Sequence, residues 1–162
     1  MIRAAVVTVS DRSFRKERAD ASGPVVANLL ARLSALVEQQ VVIPDVKGII
    51  SRALCHFSDV LDFDLVVTTG GTGVAPRDVT PEATWEVIDR EVPGMAEAMR
   101  AESQRMINTA MLSRSVVGVR RRTLIINLPG TPDGARENLQ VILPVLPHAI
   151  GKIRETGGDC AP

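Results

Sequence analysis

The sequence predicts an α/β protein of three layers (α/β/α), with a mostly parallel sheet and one antiparallel hairpin pairing. Three observations carry this. Apolar, β-branched runs without strict alternation recur at Ala4 to Ser10, Val41 to Pro44 and Leu65 to Val67, the pattern of strands covered on both faces. Between them, Val26, Leu29, Leu30 and Leu33, and then Ile50, Ala53, Leu54 and Phe57, repeat at the spacing of one helix face. Further on, Val116 to Val119 and Thr123 to Asn127 flank the basic turn Arg120-Arg121-Arg122, which reads as a hairpin.

Taken in order, the first strand ends at Ser10-Asp11-Arg12. A polar loop leads to Ser22-Gly23-Pro24, which opens the first helix. The second strand ends at Asp45, and the third runs into TTGGTGVAPRDVTP, Thr68 to Pro81. A β-α-β-α-β order implies right-handed crossovers and a sheet with helices on both faces. Ligands gather at the carboxyl ends of such strands, so Ser10-Asp11-Arg12, Asp45 and the glycine loop should share one rim. Thr80 can cap the next helix, with Pro81 in its first turn. That helix should run to about Arg90. Pro93-Gly94 breaks it, and a second helix carries Met95, Met99 and Met106 as core fillers. Leu128-Pro129-Gly130-Thr131-Pro132 repeats the strand, turn, Thr cap and Pro design. Pro144 and Pro147 mark a break between closing helices. The expected organisation is one domain over residues 1–156 with a flexible tail over 157–162.

The chemistry centres on Gly70, Gly71, Thr72 and Gly73. Glycines let backbone N–H groups approach a ligand, and a strand, glycine loop and helix N-terminus together make an anion site. The Gly-Lys-Ser/Thr ending of a P-loop is absent, and no G-x-G-x-x-G follows the first strand. Asp45 and Asp78 are candidate Mg²⁺ ligands, since that ion takes one or two carboxylates plus phosphate oxygens and water. The plainer alternative is that Asp45 caps the next helix and Asp78 ties down its own loop. Asp11 is either a third acid or a turn residue. Arg12 and Arg77 could neutralise phosphate or stay solvated. Nothing local singles out Ser113. His56 and His148 receive no role, and Arg120 to Arg122 read as a solvated turn.

Composition narrows the function classes. The 162 residues carry 19 basic and 19 acidic side chains, so no net charge draws the chain to nucleic acid or an anionic membrane. With no Tyr, one Trp and three Phe, stacking platforms for bases are lacking. No apolar run is long enough to span a bilayer and no signal-peptide layout opens the chain, so a cytoplasmic location is expected. Cys55 and Cys160 are not expected to form a disulfide there, and no Cys/His spacing suggests zinc.

TVSDR (Thr8 to Arg12), TTGGTGVAPRDVTPEAT (Thr68 to Thr84), LSR (Leu112 to Arg114) and NLPGTPDGARENL (Asn127 to Leu139) together resemble the MogA/MoaB family of molybdopterin adenylyltransferases, to which domains of plant Cnx proteins and animal gephyrin are related. The resemblance covers nearly the whole chain. It implies the molybdopterin-binding fold, a homotrimer or hexamer, and the reaction of molybdopterin with Mg-ATP to adenylyl-molybdopterin and pyrophosphate. A molybdate insertase would then act downstream. By position, Asp45 and Asp78 match the family's two functional acids, and Ser113 a serine linked to the pterin site. Gly70, Gly71, Thr72 and Gly73 match the phosphate loop. Asn127, Pro129 and Gly130 match a ligand-facing turn, and Ser10 and Asp11 the first-strand motif. The resemblance also admits a pterin carrier or scaffold without turnover, of inactive MoaB-like type, and, more weakly, an insertase-like protein.

Overall fold

The computed structural model describes residues 1–156; the expected tail and Cys160 lie outside them. The strands are β1 (Ile2–Val9), β2 (Ala35–Ile43), β3 (Leu65–Thr69), β4 (Arg90–Glu91), β5 (Val117–Arg120) and β6 (Thr123–Leu128). They form one sheet in the order β2-β1-β3-β6-β5-β4. Pairings β1·β2, β1·β3 and β3·β6 are parallel, and β5·β6 is the expected antiparallel hairpin. The helices are α1 (Asp11–Phe14), α2 (Ser22–Ala31), α3 (Lys47–Cys55), α4 (Thr80–Val87), α5 (Pro93–Gln104), α6 (Pro132–Ile142) and α7 (Leu146–Ile153).

The two-residue side-chain period of a strand divides the core in two. Ala4, Val6, Leu65, Val67, Leu124 and Ile126 face a layer made by α2, α5, α6 and α7. Their neighbours Ala5, Val7, Val66 and Ile125 face α3 and α4, with Phe57 and Phe63 filling the floor. The uninterrupted apolar runs arise from this two-sided burial.

Several expectations need correction. β2 begins at Ala35, six residues before the apolar run at Val41. Its Glu38, Gln39 and Gln40 are exposed: β2 is an edge strand, and its register shifts by one residue here, Ala4 standing opposite Val37 and Ala5 opposite Gln39. α4 stops at Val87 instead of Arg90. Asp89 and Val92 donate to the Val119 and Val117 carbonyls at 2.8 Å each, and the short edge strand β4 adds to the hairpin. Thr80 is not the cap of α4, since Val79 holds that position. The Thr80 hydroxyl instead donates to the Gly70 carbonyl at 2.9 Å. Thr131 does cap α6, accepting from the Gly134 N–H at 3.1 Å. Met95 and Met99 are buried as expected, whereas Met106 is 65% exposed because α5 has ended before it.

The basic turn also differs. Arg121 and Arg122 are exposed, but Arg120 closes two bonds on Asp59, Nε to Oδ1 at 2.9 Å and Nη2 to Oδ2 at 2.5 Å. It also donates to the Val87 carbonyl at 2.7 Å. The Arg120 guanidinium holds the Asp59 carboxyl below the ordinary carboxylate range. A depressed pKa contributes stability above the unfolded value, and that stability is lost as pH falls towards the folded one. Arg120→Gln should therefore cost about 1–2 kcal/mol at pH 7, between exposed and buried pairs. The deficit should shrink below about pH 4, where Asp59 loses its charge in the unfolded chain; urea melts across this range measure it.

Candidate functional site

The carboxyl ends of β1, β2 and β3 meet on one rim, and the parallel pairings put them there. A cavity of about 590 Å³ opens on this rim. Ser10, Asp45, Gly70, Gly71, Thr72, Gly73, Asp78 and Gly130 all line it. The N-terminal ends of α2 (Ala21, Ser22) and α6 (Thr131, Pro132) face the same space. Both bring the positive end of a helix dipole to one cavity, which favours an anion, although the Gly23 and Gly134 N–H groups are already taken by Asp20 Oδ1 and Thr131 Oγ1.

The two acids are built in differently. Asp45 and Asp11 exchange backbone N–H bonds: the Asp11 N–H donates to Asp45 Oδ2 at 2.7 Å, and the Asp45 N–H to Asp11 Oδ1 at 3.0 Å. Arg77 then donates Nε to Asp11 Oδ2 at 3.0 Å, and its Nη2 reaches the same oxygen. Burial pushes the Asp45 carboxyl above its ordinary value, with repulsion from Asp11 and Asp78 adding to it. Burial also acts on Asp11, but the Arg77 guanidinium and the Asp45 N–H outweigh it and hold Asp11 low. Asp78 ties down its own loop, accepting the Ala75 N–H on Oδ2 at 2.9 Å, and still lines the cavity. The helix-capping alternative for Asp45 fails, because Val46 stands at the start of α3.

The glycines make room for these carboxylates. Gly71 has φ +64°, and a β-carbon there would collide with Thr80 Oγ1 and lie 3.1 Å from Asp45 Oδ1. A β-carbon on Gly73 would lie 2.8 Å from Asp78 Oδ2. Any side chain at Gly71 would be both strained and in collision.

Ser113 lies elsewhere. It lines a second cavity of about 300 Å³ with Arg100, Ser103, Pro129, Glu137 and Asn138. Thr72, Gly73 and Thr131 line both cavities, so the two share a wall. Ser113 Oγ donates to Ser115 Oγ at 3.1 Å.

Not every expected residue faces these spaces. Asn127, placed in a ligand-facing turn, is fully buried. Its Nδ2 donates to Thr68 Oγ1 at 3.0 Å and Thr84 Oγ1 at 2.9 Å, and its Oδ1 accepts the Val116 N–H at 3.2 Å. With donors and acceptor used inside, it joins strand tips to α4. Asp11 is taken up by Asp45 and Arg77 and lines neither cavity. Of the cations, Arg12 and Arg77 are exposed, while Arg18 lines the larger cavity. Arg18 sits in a polar loop with no local signal. Gly134, Glu137 and Asn138 were findable, since they fall at i, i+3 and i+4 on α6.

Because ionised Asp45 is disfavoured by folding, it costs stability above its raised pKa, and the cost fades as pH falls to the ordinary carboxylate range. Asp45→Asn keeps the acceptor for the Asp11 N–H and should melt a few degrees higher than wild type at pH 8 in chelator. The difference should vanish near about pH 4, as scanning calorimetry can check.

Known proteins resemble this chain closely. The family described as probable molybdopterin binding domain matches residues 5–148. A molybdopterin adenylyltransferase of Helicobacter pylori strain J99 is 40% identical over 154 residues, 94% of this chain and 88% of the relative. The Escherichia coli K12 protein of the same name is 43% identical over 141 residues, 86% and 72% of the two chains. Among solved structures, the molybdopterin biosynthesis enzyme MoaB of Thermus thermophilus superposes with a TM-score of 0.91 at 49% identity, covering 98% of each chain.

Proposed function

This chain belongs to the molybdopterin-binding domain family that includes MogA and MoaB, and from that premise we propose that it is a molybdopterin adenylyltransferase of molybdenum cofactor biosynthesis. The observation that carries the reading is the pair of cavities sharing Thr72, Gly73 and Thr131, one with the carboxylates of Asp45 and Asp78 and an amide-rich loop, and with Asp20 tied to Thr8 and Gly23 at its wall, the other with Ser113.

In this reading the larger cavity takes the triphosphate of ATP. Backbone N–H groups of Gly71 to Gly73 hold its oxygens, the dipoles of α2 and α6 face them, and Ser10 stands at the wall with Arg18 offsetting charge. The smaller cavity takes the pterin, with Ser113 and Pro129 beside it and Arg100 and Glu137 as polar partners. Gly130 spans the β6 tip between them. Asp45 and Asp78 suit a divalent ion: both line the anion cavity, and Asp45 carries a charge that burial leaves under-compensated. Among the described residues no three His, Cys, Asp or Glu side chains are grouped so as to hold a metal ion by themselves, so phosphate and water would complete the shell, as Mg²⁺ prefers. Bound there, Mg²⁺ would supply charge neutralisation for the pyrophosphate leaving group.

The residues then act by positioning. The terminal phosphate oxygen of molybdopterin attacks the α-phosphorus of ATP. The bond from that phosphorus to the bridging β-phosphate oxygen breaks, and pyrophosphate leaves with the electron pair. A phosphate monoester is already anionic near neutral pH, so no protein base is needed. The shared wall holds attacking and leaving oxygens in line, and the amides stabilise the charge. Asn127 and Asp11 serve by fixing the strand tips and Asp45.

A homotrimer, with a hexamer as the alternative, belongs to the same reading. Met106 and Met111 are exposed apolar side chains that such an assembly could cover. A downstream molybdate insertase would consume the product.

Asp78→Asn should lower pyrophosphate release from molybdopterin and Mg-ATP by about a hundredfold or more, with pterin binding kept within about threefold. Near-normal turnover by that variant would remove the metal role. Pterin binding by the wild type without pyrophosphate release would make the chain a carrier instead.

A further inference from the structure

Between Gly73 and Asp78 the loop leaves the body of the protein: Val74, Ala75, Pro76 and Arg77 are all exposed. Inside it only a short turn holds, the Asp78 N–H to the Ala75 carbonyl and the Ala75 N–H to Asp78 Oδ2, each 2.9 Å. Such a segment does not fix the direction of its own amides. From outside, Asp11 holds the Arg77 side chain, and one other side chain grips the loop backbone itself. Arg114 Nε donates to the Gly73 carbonyl at 2.7 Å, and Nη2 to the Asp78 carbonyl at 2.6 Å. The Arg114 backbone N–H donates to the Thr72 carbonyl at 2.9 Å. The remaining nitrogen, Nη1, pairs with Glu82 on the first turn of α4.

We infer that Arg114 is a positioning residue, a latch that closes the outgoing and returning limbs of the glycine loop and couples them to the segment bearing Ser113. The inference rests on the adenylyltransferase reading for its kinetic consequence, though not for its structural one. A trans peptide points its N–H opposite to the preceding carbonyl. Drawing the Thr72 and Gly73 carbonyls towards Arg114 therefore turns the N–H groups of Gly73 and Val74 away from it. Holding the Asp78 carbonyl fixes the backbone from which that carboxylate projects into the cavity. Ser113 is the residue just before Arg114 in the chain, so the wall of the smaller cavity and the carboxylate of the larger one move together. Glu82 keeps the guanidinium plane in register. Only a planar fork reaches two carbonyls and a carboxylate at once; an ammonium on a flexible stem does not.

The test is Arg114→Lys in the full chain, read by hydrogen exchange without ligands and by steady-state kinetics. Amides of residues 71–79 should exchange at least about tenfold faster, with the β3 amides unchanged. In turnover, kcat should fall at least about tenfold while KM for molybdopterin stays within about threefold. The Mg²⁺ concentration for half-maximal rate should rise. Loss of stability alone would not shift that Mg²⁺ requirement. If Arg114→Lys does not fold, Glu82→Ala removes the acceptor for Nη1 and leaves the guanidinium in place but unaimed, and should move the same readouts in the same direction. Unchanged exchange over 71–79 in the folded variants would overturn the latch, and so would faster exchange with unaltered kcat. Should the wild type release no pyrophosphate, the kinetic arm falls with the adenylyltransferase reading, and the exchange arm alone decides the latch.

Discussion

Two carboxylates confined at the tips of parallel strands are the constraint on which the rest of this structure depends. Asp45 is held by the reciprocal N–H bonds with Asp11 and is raised in pKa by its burial there. Asp78 shares its cavity. Keeping like charges close in a partly buried space costs stability that a purely structural loop would have no reason to give up. The surrounding sequence is shaped by that cost. Arg77 offsets Asp11, Gly71 and Gly73 give way to the acids, and Thr80 locks the loop root to Gly70. The site thus sets acids of the kind that suit a cation beside amides of the kind that suit an anion, which is the combination the proposed function calls for.

The sheet order gives the site its location. With β1 between β2 and β3, three loops emerge side by side. β6 then sets a fourth against them: the Gly70 N–H donates to the Leu128 carbonyl at 3.0 Å, and Thr69 Oγ1 to the Pro129 carbonyl at 2.7 Å. A β-carbon on Gly130 would stand 3.1 Å from the Gly70 Cα, so the two turns are pressed together. This contact brings the start of α6 to the glycine loop and makes two adjoining cavities instead of two separate clefts.

Much of this was legible in the sequence because it is local. Continuous apolar runs betray strands buried on both faces, and Thr131-Pro132 a capped helix. Ser10, Asp45 and the loop glycines could be placed on one rim from strand order alone. What escaped depends on long-range partners. Thr80 has the chemistry of a cap, yet its hydroxyl goes to Gly70, ten residues back. Glu38 to Gln40 are polar because their strand lies at an edge, which only the sheet order reveals. Asn127 is fully satisfied by Thr68, Thr84 and Val116, and no spacing announces that. Arg120 meets Asp59 and Arg114 meets Glu82 across 61 and 32 residues.

One cavity has to hold phosphate and metal together for any of this chemistry to work. The direct measurement is a crystal grown with Mn²⁺ and an α,β-methylene analogue of ATP, with anomalous data collected for the metal. The expected result is an anomalous peak against the Asp45 and Asp78 carboxylates, with the phosphates on the amides of Gly71 to Gly73. A nucleotide bound away from that loop, or a metal peak touching neither acid, would contradict it.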